Sequence, residues 1–171
     1  MEYQHGGDIY TNQVELDYSA NLNPLGLPEG VRTAYIRAAD RCSVYPDSRC
    51  LALRSKLAAF HRIDRENVIC GNGAADLIFR LALAKRPKHA LVLAPTFAEY
   101  EAALETVGCD VRRYALNEAN DFALTGGVLG AIQPPVEIVF LCQPNNPTGQ
   151  AADRTLMRRI LESGGSVVSE Y

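Results

Sequence analysis

Residues 136–141 read VEIVFL and residues 89–94 read HALVLA, two short runs that stay apolar or β-branched nearly throughout instead of alternating. A strand that is apolar on both sides has no wet face, so it belongs inside a sheet covered above and below. Around these runs the period changes to that of helices. Arg49–His61 carries Leu53, Leu57 and Phe60 at i, i+4 and i+7, and Ala74–Ala84 carries Leu77, Ile78 and Leu81 on one face. Further helices are expected at Pro28–Ala39, Phe97–Val107 and Asp153–Glu162. Further strands are expected at Asn67–Cys70 (NVIC), Cys109–Tyr114 (CDVRRY) and Ser166–Tyr171 (SVVSEY). Helices alternating with strands predict an α/β chain, a three-layer αβα arrangement around a mainly parallel sheet, with ligands gathered at the carboxyl ends of the strands. Residues 1–27, rich in Asn, Gly and Pro, read as an N-terminal arm with one extended piece, VELDYSA. Residues 28–171 form the organised part.

Composition narrows the function classes. At 47% apolar and 22% charged residues the chain is ordinary globular protein, and 171 residues suffice for a real core. A net charge of −3 without a basic run argues against nucleic acid or an anionic membrane as the main partner. No apolar run approaches the ~20 residues of a membrane span, and MEYQHGGDIY lacks the basic-then-apolar order of a signal peptide. Five scattered cysteines without CxxC spacing read as reduced thiols, and the chain is expected to be cytoplasmic.

Three stretches fall at expected strand ends. In CGNGAADLIFRL (Cys70–Leu81) a strand ends, glycines turn the chain and a helix begins near Ala74. Free N–H groups at such a start can hold a phosphate; the plainer reading is a tight turn that needs glycine for its geometry. A dinucleotide fingerprint is disfavoured, because the third Gly and the later acid are missing. In LAPTFAEYE (Leu93–Glu101) Phe97 opens a helix over the strand ends, where a flat ligand could stack. Phe97, Tyr100, Leu104 and Val107 also share one helical face, so a core role is equally readable. In CQPNNPTGQ (Cys142–Gln150) two Asn bracketed by Pro stop a buried strand abruptly. Asn146 would be the amide held at that strand end.

These motifs, with LDYSANLNPLGLP (Leu16–Pro28) and VYPDS (Val44–Ser48), resemble in order and spacing the fold-type I, class I/II aminotransferases, enzymes dependent on pyridoxal 5′-phosphate. Within that group the chain looks most like threonine-phosphate decarboxylases of cobalamin synthesis, on HGGD (His5–Asp8) and GNGAADLIFRL; histidinol-phosphate aminotransferases come second. The resemblance implies that the amides of Gly73, Ala74 and Ala75 hold the cofactor phosphate, that Phe97 stacks on the pyridine ring and that Asn146 bonds its 3′-oxygen. It implies that Tyr45 reaches the phosphate of the other subunit of a homodimer and that Asn23 contributes from the arm on the substrate side. A surface aromatic and a turn residue before Pro24 are the plainer readings of Tyr45 and Asn23. The implied substrate is a small phosphorylated amino acid.

The departures are as informative. The family's cofactor-bonding lysine and its substrate-binding arginine are expected beyond residue 171, and Lys56, Lys85 and Lys88 follow no strand end. The chain therefore reads as the N-terminal portion of the large domain, without a catalytic residue and inactive alone. SVVSEY places Ser169 where the family has the Asp that pairs with the ring nitrogen. A hydroxyl cannot raise that nitrogen's pKa as a carboxylate does, which weakens the electron sink. A non-catalytic half-domain that docks to another chain through an exposed sheet edge is the reading from a different class.

Overall fold

The structure is a computed structural model that describes residues 6–163 and 165–170, with backbone only at Glu170. His5 of the HGGD motif and Tyr171 lie outside the described residues. The chain divides into two compact units, Met1–Ile69 and Cys70–Tyr171.

The second unit is built on four strands: β1 (His89–Ala94), β2 (Asp110–Ala115), β3 (Ile138–Cys142) and β4 (Ser166–Glu170). All pairings are parallel, in the order β2-β1-β3-β4. Ala94 stands level with Ala115, and Cys142 with Glu170, so all carboxyl ends lie along one edge. Helices α3 (Gly73–Lys85), α4 (Glu99–Glu105), α5 (Val128–Ala131) and α6 (Arg154–Glu162) connect or flank the strands.

Why β1 and β3 are apolar throughout is now visible. Ala90, Val92, Ile138 and Phe140 pack with Ile78 and Ala82 of α3 and with Tyr100, Ala103 and Leu104 of α4. The alternate residues Leu91, Leu93, Val139 and Leu141 pack on the opposite face with Val128, Ile132, Leu156 and Ile160. Each central strand feeds two cores, so neither of its faces tolerates a polar side chain. The three-layer αβα reading holds for this unit. β2 is an edge strand and carries Asp110, Arg112 and Arg113 on exposed positions, charges that discourage edge-to-edge pairing.

Helix α6 shows how local chemistry fixes an element. Asp153 is its N-cap, and its Oδ1 accepts from the N–H groups of Thr155 (2.8 Å) and Leu156 (3.2 Å). Leu156 and Ile160, one turn apart, are the residues it buries.

Three expectations need correction. No strand forms over Asn67–Cys70: Arg65–Asn67 is a 3-10 turn, and Val68 is extended (φ −113°, ψ 127°) without a pairing partner among the described residues. β-branched residues favour an extended backbone, but only a neighbouring strand makes it a ladder. The piece VELDYSA is not a strand either; Asp17 instead turns the chain by accepting the Ser19 N–H at 2.8 Å. Phe97 lies before α4 instead of opening it, its carbonyl accepting from Tyr100 N–H at 3.4 Å. Between β2 and β3, α5 is a single helical turn.

The first unit holds α1 (Glu29–Ala38) and α2 (Leu51–His61). Arg54 organises it. Its guanidinium donates to the carbonyls of Val68 (2.7 Å) and Arg65 (3.0 Å) and pairs with Glu66 at 3.2 Å, pinning the segment that follows α2. Asp47 starts α2 by accepting from Leu51 N–H (2.7 Å) and Arg49 N–H (3.0 Å). α1 buries none of its residues, and Val31, Tyr35 and Ile36 are exposed.

Candidate functional site

The carboxyl edge of the sheet is where the second unit gathers its polar chemistry. At the end of β3 the Pro-Asn-Asn-Pro turn is closed on itself: Asn145 N–H donates to Gln150 O (2.8 Å) and Gly149 N–H donates to Asn145 O (2.7 Å). The two asparagines then divide the work. Asn145 is buried; its Nδ2 donates to Pro95 O (3.0 Å) and Thr148 Oγ1 (3.0 Å), while its Oδ1 accepts from Thr96 Oγ1 (2.8 Å). These bonds tie the β3 turn to the loop after β1. Asn146 is exposed, its N–H donates to Cys142 Sγ (3.3 Å), and its carboxamide meets no partner among the described residues. Asn145 is the residue that sequence reasoning missed. Two adjacent amides at a buried strand end were the signal: one had to satisfy the turn for the other to stand free.

Phe97 follows the loop that Asn145 grips. It is half-buried, meets Tyr100 edge-on at 5.6 Å and packs on the α3/α4 core. Tyr100 in turn stacks on Phe140 at 5.0 Å. The two readings of Phe97 therefore coexist, since its inner side is core and the rest remains accessible.

Helix α3 begins at Gly73, whose φ of +83° suits glycine and whose added Cβ would meet nothing within 4 Å. Asn72 makes no side-chain cap. Its own N–H donates to Asp76 Oδ2 at 2.9 Å, and Arg80 pairs with that carboxylate at 3.6 Å. The N–H groups of Gly73, Ala74 and Ala75 find no acceptor among the described residues, which leaves the first turn of a 13-residue helix open to an anion. Behind it, Gly71 allows close approach; a Cβ there would lie 2.6 Å from Asp76 Oδ2 and 2.7 Å from Leu77.

At the end of β4, Ser169 stands level with Leu141 of β3. Its Oγ is buried and has no hydrogen-bond partner among the described residues. A buried orphan hydroxyl at a strand end is a cost that calls for a reason.

Gly73, Ala74, Ala75, Phe97, Asn146 and Ser169 all belong to the unit formed by Cys70–Tyr171. Tyr45 and Asn23 belong to the other unit. Tyr45 is 98% exposed. Asn23 uses its side chain in its own turn, Nδ2 donating to Gly26 O (2.9 Å) and Oδ1 accepting from Leu25 N–H (3.0 Å). No cluster of metal-ligating side chains exists among the described residues. An open groove of about 630 Å³, lined by Gln143, Ala152, Arg154, Thr155, Met157, Arg158 and Leu161, runs along α6 and includes none of the expected site residues. Orphan donors and a free amide are more specific to a ligand than the size of an open groove, so the strand ends remain the candidate site. No helix among the described residues is long and apolar enough to cross a membrane.

Residues 12–166 match the family model for aminotransferase class I and II. The chain belongs to that family. It is 41% identical over 147 residues to a threonine-phosphate decarboxylase of Salmonella typhimurium, covering 86% of this chain and 40% of the relative. It is 38% identical over 147 residues to a histidinol-phosphate aminotransferase of Moorella thermoacetica, covering 84% and 37%. Among solved structures, an L-threonine-O-3-phosphate decarboxylase from Porphyromonas gingivalis superposes with a TM-score of 0.72 at 26% identity, covering 83% of this chain and 44% of that one. The chain spans about 40% of the length of the curated relatives it matches.

The class I/II aminotransferase family is pyridoxal 5′-phosphate-dependent. The residues present fit such a group. The open amides of α3 suit a phosphate, the accessible part of Phe97 a flat ring, and the Asn146 carboxamide, unpartnered among the described residues, suits a polar atom on that ring's rim.

Proposed function

We propose that this chain carries the phosphate- and ring-binding part of a pyridoxal-phosphate enzyme that acts on a small phosphorylated amino acid, of the threonine-phosphate decarboxylase kind. The observation that carries the reading is the division between Asn145 and Asn146: one amide is buried to fix the turn, and the other stands exposed and unpaired at the strand end. When bound, the cofactor supplies the electron sink on which an amino acid can shed its α-carboxylate. The chain's own part is to place it. Gly73, Ala74 and Ala75 donate N–H bonds to the phosphate, aided by the positive end of the α3 dipole. Phe97 covers one face of the ring and Asn146 donates to its 3′-oxygen. In a homodimer, Tyr45 reaches the phosphate held by the partner and Asn23 lies on the substrate side.

The two decarboxylase relatives, 41% and 40% identical, support the decarboxylase over the histidinol-phosphate aminotransferase reading. Both kinds of relative are named for a phosphorylated compound, so a phosphorylated amino compound is common ground. Lys56 lies in α2, Lys85 ends α3 and Lys88 precedes β1, so no lysine of the 171 follows a strand's carboxyl end. As it stands, the chain binds without bonding covalently.

Calorimetric titration with pyridoxine 5′-phosphate and with pyridoxine tests this. The phosphate ester is expected to bind at least about tenfold tighter, as charge-assisted bonds to several N–H groups require. Equal affinity for both compounds removes the phosphate role from α3. With pyridoxal 5′-phosphate and borohydride, no single lysine should be trapped stoichiometrically.

A further inference from the structure

Asn146 is the residue of the turn whose side chain stands free, so its backbone must be held if the carboxamide is to keep one aim. The flanking Pro144 and Pro147 have no N–H to give. Among the described residues Asn146 makes one hydrogen bond: its N–H donates to Cys142 Sγ at 3.3 Å. The same thiol donates to Pro144 O at 3.4 Å. Cys142 is the last residue of β3 and is only 9% exposed. One thiol, fixed by the end of a central strand, thus reaches both the Pro144 carbonyl and the Asn146 amide.

The sulfur lies on the face of the sheet that carries Phe97. By strand alternation Cys142 shares that face with Ile138 and Phe140. All three pack in the core formed with α3 and α4, against which Phe97 rests. Gln143, next in the chain, is anchored elsewhere: its Nε2 donates to Ala152 O (3.1 Å) and its Oε1 accepts from Ala152 N–H (2.9 Å). The turn is therefore tied at two places, by Gln143 to the segment that leads into α6 and by Cys142 to the layer beneath Phe97. Only the second tie touches Asn146. Burial alone does not call for sulfur, since a cysteine packs as a small apolar residue that valine can replace. The two polar contacts do.

We propose that Cys142 is a positioning residue: its thiol holds the backbone of Asn146 so that the carboxamide is aimed at a ring lying on Phe97's side of the sheet. This rests on the cofactor reading of the site and deepens it. The thiol acts through Asn146 and not on the ring itself. Hydrogen bonds to sulfur are weak, so the thiol governs aim more than folding. Its loss shows as lower affinity for the ring, with the phosphate contacts of α3 unchanged.

Variants of the 171-residue chain test this. Cys142→Val keeps an apolar side chain in the core and removes both polar contacts. It should weaken binding of pyridoxine 5′-phosphate about fivefold, the worth of one modest hydrogen bond. Cys142→Ser, which donates and accepts as the thiol does, should bind within about twofold of the unmodified chain. In an Asn146→Ala background, Cys142→Val should cost no further affinity. A second readout needs no ligand. Hydrogen exchange of the Asn146 amide should quicken at least about threefold in Cys142→Val and not in Cys142→Ser, while the amides of β1 keep their protection. Full affinity in Cys142→Val, a serine variant no better than the valine one, or an equal loss with and without the Asn146 side chain overturns the assignment of Cys142 and leaves the phosphate site standing. Unchanged exchange at Asn146 overturns it as well. If the unmodified chain does not bind the compound, the cofactor reading fails and the ring-aiming role goes with it, even where exchange shows that the sulfur holds the turn.

Discussion

Asn145 Nδ2 donates to the carbonyl oxygen of Pro95 at 3.0 Å, joining the loops that leave two adjacent parallel strands. With the Thr96 hydroxyl on its Oδ1, this buried amide sets where both Phe97 and Asn146 begin. Replacing it leaves Pro95 O and Thr96 Oγ1 to find new partners. Asn145→Ala should therefore cost about 1–3 kcal/mol of stability. Asn146→Ala, on an exposed carboxamide, should stay within about 0.5 kcal/mol of the unmodified chain and yet weaken cofactor binding. Urea unfolding and ligand titration of the two variants check the contrast. An Asn146 variant as unstable as the Asn145 one would show that the two roles are wrongly divided.

The turn into α3 is tested at Gly73. Space is open around it, so a methyl group there meets nothing, and the penalty of Gly73→Ala is backbone alone: roughly 1–2 kcal/mol for the positive φ. Gly71→Ala adds a steric clash with Asp76 and Leu77 and should cost more. Chemical denaturation ranks the two. If Gly73→Ala is neutral, the +83° backbone is not needed to start the helix.

In the core, Phe140→Ala should destabilise the second unit by about 3–5 kcal/mol, since the ring is fully buried and stacked on Tyr100. Phe97→Ala should cost less, because Phe97 is only half-buried, and should lower affinity for a flat ring. Thermal unfolding with and without pyridoxine 5′-phosphate separates the two effects.

Acid sensitivity should trace in part to Asp153. The N–H groups of Leu156 and Thr155 hold its carboxyl below the usual carboxylate range. A depressed folded value means stabilisation that is complete above the unfolded pKa, about 3.9, and is lost as pH falls through the folded one. Asp153→Asn keeps a neutral cap and removes that titration. Urea midpoints of the two proteins should differ by a constant amount near neutral pH and draw together below about pH 4. A gap that stays constant into acid would contradict the assignment.

Much of this was legible in the residues. HALVLA marked β1 to the residue, and the double-sided burial of β1 and β3 follows from runs without polar positions. Asp153 announced α6. What failed was non-local or conformational. NVIC has strand chemistry but no neighbour, and no property of residues 67–70 reveals that. Phe97 reads as helical because its spacing to Tyr100 and Leu104 is helical, yet the chain enters α4 only at Glu99. Asn146 could be named from the motif, whereas the partner that holds its turn, Asn145, needed the register of β1 beside β3. Ser169 stood out only as an unexpected residue type; that its hydroxyl lacks a partner among the described residues is a fact of packing.

The most direct measurement is an amide 1H–15N spectrum of the chain during addition of pyridoxine 5′-phosphate. The account predicts that Gly73, Ala74, Ala75, Phe97 and Asn146 shift together along one saturation curve. Shifts confined to the Arg154–Leu161 groove, or a response at α3 with none at Phe97 and Asn146, would contradict it.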